Sequence, residues 1–191
     1  MEKIIFTTEE VEKCTEFSEQ VDTSLYAKRN QWDAVKRKAD SKIGKLGEIA
    51  VYRSLLDKYP DITYPDFKIY KPREKSWDFD LKHPNFNLHV KTQETLQASK
   101  FGESWIFQYG DGKKRNYDKE IFDRLSPNQY IAFVRLNLLE GYGMVRAIVS
   151  LDLLHDKKLF AEPVLDKLKF ANKVAVYYKD LEKYKDQLWQ L

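Results

Sequence analysis

The chain has 191 residues, with 33 Lys and Arg against 30 Asp and Glu, a formal net charge of +3 and 42% hydrophobic residues. A length of about one domain with 14% aromatics excludes a disordered or linker-like chain, which could not bury enough apolar surface to order itself. The single cysteine, Cys14, excludes an intrachain disulfide and a cysteine-cluster metal site, and fits a reducing, cytoplasmic compartment.

The N-terminal residues 1–40 read as a helical extension. Ile4-Ile5-Phe6 is too short an apolar run for a secretory signal. No stretch approaches the roughly 18 apolar residues of a membrane span, so no membrane partner is expected. Thr7 with Glu10 forms the pattern of a capping box, and Val11, Cys14, Phe17 and Val21 follow at helical spacing. A second helical stretch is expected over residues 22–39. A third, over 41–59, carries the small and apolar stripe Ile43, Leu46, Gly47, Ala50, Val51 and Leu55 and stops before Pro60. Glycine within that stripe, at about 1 kcal/mol below alanine in helix propensity, implies that another element approaches closely.

From residue 62 the period changes to two. Residues 66–70, 77–81 and 86–93 alternate as strands, with Pro84-Asn85 turning the last two into a hairpin. Residues 105–109 form another strand and 110–116 a glycine-rich basic loop. A short helix follows over 117–125. Residues 130–136 are apolar almost without interruption, as a buried central strand should be. Strands at 144–151 and 174–178 and a terminal helix over 180–191 complete the chain. The expected fold class is α/β (α+β), a mixed sheet of five to seven strands flanked by helices in one domain over 1–191.

Three groups of polar residues stand out. Glu48 sits at the edge of the apolar stripe. Asp78 and Asp80 share one face of a strand, opposite Trp77, Phe79 and Leu81. His89, Lys91 and Gln93 share one face of the next strand, and the hairpin would bring the two polar faces side by side. Taken singly, each has a plainer explanation as a boundary or solvent-facing side chain. Together they supply what phosphodiester hydrolysis uses. Carboxylates hold Mg²⁺, and the ion polarises the phosphoryl oxygen and lowers the pKa of a bound water. A neighbouring lysine stabilises the developing charge.

The segments Gly44-Lys45-Leu46-Gly47-Glu48, Ser76-Trp77-Asp78-Phe79-Asp80-Leu81 and Leu88-His89-Val90-Lys91-Thr92-Gln93 resemble the PD-(D/E)xK nuclease superfamily. That family has a glutamate on a first helix, an aspartate opening a hairpin, and (Asp/Glu)-x-Lys on the next strand. The resemblance spans residues 41–150, leaving 151–191 as a C-terminal strand and helix. It implies a restriction-endonuclease-like sheet core and a Mg²⁺-dependent (or Mn²⁺-dependent) endodeoxyribonuclease of the restriction type, acting on double-stranded DNA. By that resemblance Asp78 is the principal metal ligand and Glu48 holds a second metal or its water. Lys91 orients the nucleophile, and Gln93 positions Lys91 or a phosphate. The departure is His89, which stands where the family has an acid; imidazole carries no negative charge and favours other ions than Mg²⁺. His89 could ligate the metal, or Asp80 could supply the missing acid, or the site could be silent. The alternatives are therefore a structure-selective nuclease of the Holliday-junction type and an inactive nuclease-fold DNA-binding protein. Asp66, in the literal Pro65-Asp66, lies too far before Lys91 for the hairpin role.

Residues 28–45 carry seven cations and two aspartates. Lys36, Arg37, Lys38, Lys42 and Lys45 form a candidate phosphate-contacting stripe, and Lys113, Lys114 and Arg115 a candidate loop contact. A plain solvated face is the competing explanation. Cutting two strands from one site per chain calls for a homodimer. His83 falls at the hairpin turn and His155 in a charged surface segment. There is no phosphate-binding glycine loop or dinucleotide fingerprint, so no nucleotide cofactor is expected.

Overall fold

The computed structural model describes residues 2–21, 33–70, 78–109, 118–124 and 126–189, without the side chains of 119 and 120. Helix α1 (Thr8–Gln20) starts as expected. The Thr7 hydroxyl accepts from the Glu10 N–H at 3.2 Å and the Glu10 carboxylate from the Thr7 N–H at 2.8 Å. The described part of the stretch expected over 22–39 joins the helix expected over 41–59 in one helix, α2 (Ala34–Leu55), capped by the Asp33 carboxylate on the Lys36 N–H at 2.9 Å. It runs unbroken past residue 40, where Lys36 and Asp40 pair one turn apart at 2.7 Å. Residues 22–32 lie outside the described set.

The strands are β1 (Ile4–Ile5), β2 (Leu81–His83), β3 (Phe86–Glu94), β4 (Ser104–Gln108), β5 (Gln129–Asn137), β6 (Tyr142–Ser150) and β7 (Lys173–Tyr177). They form two sheets rather than the single one expected. Five strands lie in the order β1-β6-β5-β3-β2, and β4 pairs with β7 separately. The larger sheet is mixed: β3 runs parallel to β5, and the other pairs are antiparallel. Short helices α3 (Thr95–Phe101), α4 (Lys119–Phe122), α5 (Leu151–Asp156), α6 (Asp166–Phe170) and α7 (Tyr178–Leu181) fill the connections, with a 3₁₀ turn over Glu182–Gln187 in place of the long terminal helix.

Alternation along β3 and β5 separates two cores. Leu88, Ala132 and Val134 face α2 through Ala50, Val51 and Leu55. Ile131 and Phe133 face Trp105, Phe107 and Val176 of the small sheet. The molecule is thus layered as α2, the five-stranded sheet, then the β4–β7 sheet with the C-terminal elements. The layers meet tightly where α2 crosses β3. A Cβ built on Gly47 would lie 1.8 Å from Thr92 Oγ1, so the glycine in the stripe marks the close approach that the sequence implied.

One expected strand is absent and another is shortened. Residues 66–70 bend, because Asp66 turns its carboxylate onto the Lys68 N–H at 2.8 Å and accepts from the Tyr70 hydroxyl. The hairpin forms at Pro84-Asn85, but β2 is shorter than expected. Beyond Asp80 N–H to Leu88 carbonyl at 3.0 Å, the Asp80 side chain takes over and accepts from the Val90 N–H at 2.7 Å. A carboxylate thus replaces the next backbone partner, and Asp78 falls ahead of the strand.

Candidate functional site

The site is built around the face of β3 that carries His89, Lys91 and Gln93. Lys91 reaches across to Asp118 at 3.1 Å and lies 4.8 Å over the Phe107 ring. The same Asp118 oxygen accepts from the Gln108 N–H at 3.3 Å, and the Asp118 N–H donates to the Gln108 carbonyl at 2.8 Å. Asp118 therefore ties Lys91 to the end of β4. Nothing in the sequence pattern singled it out, since it follows directly on residues 110–117, which lie outside the described set.

His89 lies one residue beyond the last β2–β3 pair, Leu81 with Leu88, and packs against the Phe79 ring at 4.9 Å. Its Nε2 is enclosed and has no hydrogen-bond partner among the described residues. Burial lowers its pKa below the ordinary histidine value, against the opposing charge of Asp80, so the ring is neutral at pH 7. Asp80 itself is half-buried, pinned by the Val90 N–H.

The other expected site residues go elsewhere. Glu48 is 7% exposed and pairs with Lys45 at 2.7 Å. That lysine lies over the rings of Phe17 and Phe67, and Glu48 is among the charges felt by Cys14 on α1. Glu48 thus belongs to the α1–α2 contact, across β3 from Lys91. Asp78 is exposed and pairs with Lys82 at 2.7 Å, and its charge acts on His89 less than those of Asp80, Lys91 and Asp118 do. The Gln93 amide oxygen accepts from the Ser104 N–H at 2.9 Å, and its nitrogen donates to the Gly102 carbonyl at 3.1 Å. It fastens the turn into β4. Among the described residues no group of three or more His, Cys, Asp or Glu side chains is placed to hold a metal ion.

Beside Lys91 opens a groove of about 1010 Å³. Its walls are the first turns of α2, the end of β3 with α3, and the outer face of β4–β7 with the segment 163–168. Six cationic side chains line it, Lys36, Arg37, Lys91, Lys100, Lys167 and Lys173, against the carboxylates Asp33, Asp40 and Glu94. The basic stripe expected on α2 is therefore divided by the helical period. Lys36 and Arg37 face the groove, whereas Lys45, and Lys42 with it, act on Cys14 across α1. Lys38 is exposed. Lys113, Lys114 and Arg115 lie outside the described residues. His155 is not a surface residue of the kind expected: it is half-buried, bonded to the Ile121 carbonyl at 3.0 Å and packed against Phe160.

Comparison of the chain with protein-family models, characterised proteins and solved structures returns no match. Among the described residues no helix is long and apolar enough to cross a membrane.

Proposed function

We propose that the protein is a metal-dependent nuclease that hydrolyses DNA phosphodiester bonds, with Asp80, His89, Lys91 and Asp118 as its site. The carrying observation is the convergence, at the open end of the β2–β3 hairpin, of a pinned carboxylate, an imidazole with an enclosed unpartnered nitrogen, and a lysine beside a basic groove. In this proposal Asp80 takes the acidic role that the sequence pattern offered to Asp78, because Asp78 is drawn to Lys82 at the surface.

Asp80 and His89 are the side chains that would hold the ion. One carboxylate suffices for Mg²⁺ when substrate phosphate and water complete its shell, and the imidazole donor favours Mn²⁺ or a later ion over Mg²⁺. Such an ion supplies polarisation of the phosphoryl oxygen and a more acidic bound water. Lys91 supplies positive charge where the phosphorane oxygens become more negative. Asp118 keeps that ammonium from swinging away, since its carboxylate is itself held by the Gln108 N–H. The surplus of positive charge along the groove draws the DNA backbone in. Two copies would be needed to cut both strands.

A second reading, nucleic-acid binding without cleavage, is favoured by the pairing of Glu48 with Lys45 and of Asp78 with Lys82. Incubation of supercoiled plasmid and of a four-way junction with Mg²⁺ or Mn²⁺, with an EDTA control and Lys91→Ala beside the parent, separates the readings. Metal-dependent cutting lost in the variant supports the nuclease, and preference for the junction makes it structure-selective. Salt-sensitive binding with no cutting of either substrate supports the second reading.

A further inference from the structure

We infer that Lys173, with Lys36, forms a phosphate subsite beside Lys91 that holds a second phosphodiester of a bound nucleic-acid strand; the identity of that strand rests on the nuclease reading. Along β7, Val174 and Val176 pack on the core while Lys173 and Tyr177 turn to the groove. Lys173 sits opposite Gln108 in the β4–β7 register, and Gln108 is the residue whose N–H is held by the carboxylate that binds Lys91. Lys173 and Lys91 therefore approach one corner of the groove from two walls, and Lys36 approaches from α2.

The three lysines are not equivalent. Lys36 has Asp40 at 2.7 Å and Lys91 has Asp118 at 3.1 Å. Lys173 is half-buried and makes no ion pair or side-chain hydrogen bond among the described residues. Burial, then the charges of Lys36 and Lys91, pull its pKa down, against the opposing pull of Asp118 and Asp40. A surplus ammonium held beside two paired ones is unfavourable by like-charge repulsion, and an anion between them offsets it. Separate ammonium groups on three elements act as point charges, which suits a phosphate approached from several sides. The groove is larger than one phosphate and its cations continue to Lys100 and Lys167, which suits a strand.

The test is anisotropy of a labelled 12-nucleotide single strand in EDTA over a range of salt, for the parent, Lys173→Met, Lys173→Arg and the exposed control Lys157→Met. Lys173→Met is expected to weaken binding about tenfold, as loss of one charged hydrogen bond does, and to reduce the salt slope by about 0.7. Its Tm should equal or exceed that of the parent, Lys173→Arg should keep most of the affinity, and inorganic phosphate should compete better than chloride at equal ionic strength in the parent and in Lys157→Met but not in Lys173→Met. Parent-like affinity and slope in Lys173→Met overturn the subsite even if the parent cuts DNA. A weakened Lys173→Met in a parent that cuts nothing upholds the subsite while the nuclease reading falls. If Lys173→Met fails to fold, a Lys173→Arg variant that folds but loses binding refutes the point-charge role.

Discussion

Gly47→Ala puts the packing of α2 on β3 to a direct test. Alanine should gain about 1 kcal/mol in helix propensity. The added Cβ, however, would lie 1.8 Å from Thr92 Oγ1, 3.0 Å from its Cβ and 3.1 Å from Cγ2. Rotating the Thr92 side chain does not relieve the contact, because Cβ stays and another substituent enters. Thr92 is fixed by β3 pairing with β5, so α2 must shift and loosen Ala50, Val51 and Leu55 from the sheet. Overpacking of this kind costs about 1–3 kcal/mol. With the upper part of that range set against the propensity gain, the net loss is about 2 kcal/mol, or about 4–8 °C in Tm for a chain of this size. Gly44 in the same helix has nothing within 4 Å of a built Cβ among the described residues, so Gly44→Ala should raise Tm by about 2–4 °C. Thermal unfolding followed by circular dichroism measures both. Equal shifts for the two variants, or a Gly47→Ala protein as stable as its parent, would refute the close-approach argument.

Three further outcomes follow from the same contacts. Burial and the charge of Glu48 push the Cys14 thiol up to about 12, so a thiol reagent at pH 8 should leave the native protein unlabelled and modify it fully in denaturant; rapid native labelling would contradict the burial. Because the His89 pKa is lowered on folding, the unfolded chain takes up the proton first, and stability should fall as pH drops below about 6.5; denaturant melts of His89→Gln should show a smaller acid loss than the parent. Gln93→Leu leaves the N–H of the buried Ser104 without its acceptor, which should cost about 1–3 kcal/mol in a urea titration, whereas an unchanged midpoint would mean the turn is not fastened there.

Local signals in the sequence translated well into structure. Thr7 and Glu10 announce the start of α1, Pro84-Asn85 the hairpin turn, and the apolar run at 130–136 the central strand β5. What was missed is non-local. The pairing of β4 with β7 joins segments far apart in the chain and carries Lys173 to the groove, while Asp118 meets Lys91 through its bonds to Gln108 at the end of β4. Alternation placed Asp78 and Asp80 alike on a strand face, yet Asp80 spends its carboxylate on the Val90 N–H and ends the ladder. Helical periodicity put Glu48 at the edge of the apolar stripe; the neighbouring Lys45 and the rings of Phe17 and Phe67 decide that it packs under α1.

The most direct measurement is metal-dependent cleavage of supercoiled plasmid by Asp80→Asn and Asp78→Asn beside the parent. With Asp80 as the acid next to His89 and Lys91, the parent and Asp78→Asn should cut at similar rates and Asp80→Asn should lose activity while keeping its salt-dependent affinity for DNA. A parent that cuts nothing with Mg²⁺ or Mn²⁺, or activity lost in Asp78→Asn and kept in Asp80→Asn, would contradict the assignment.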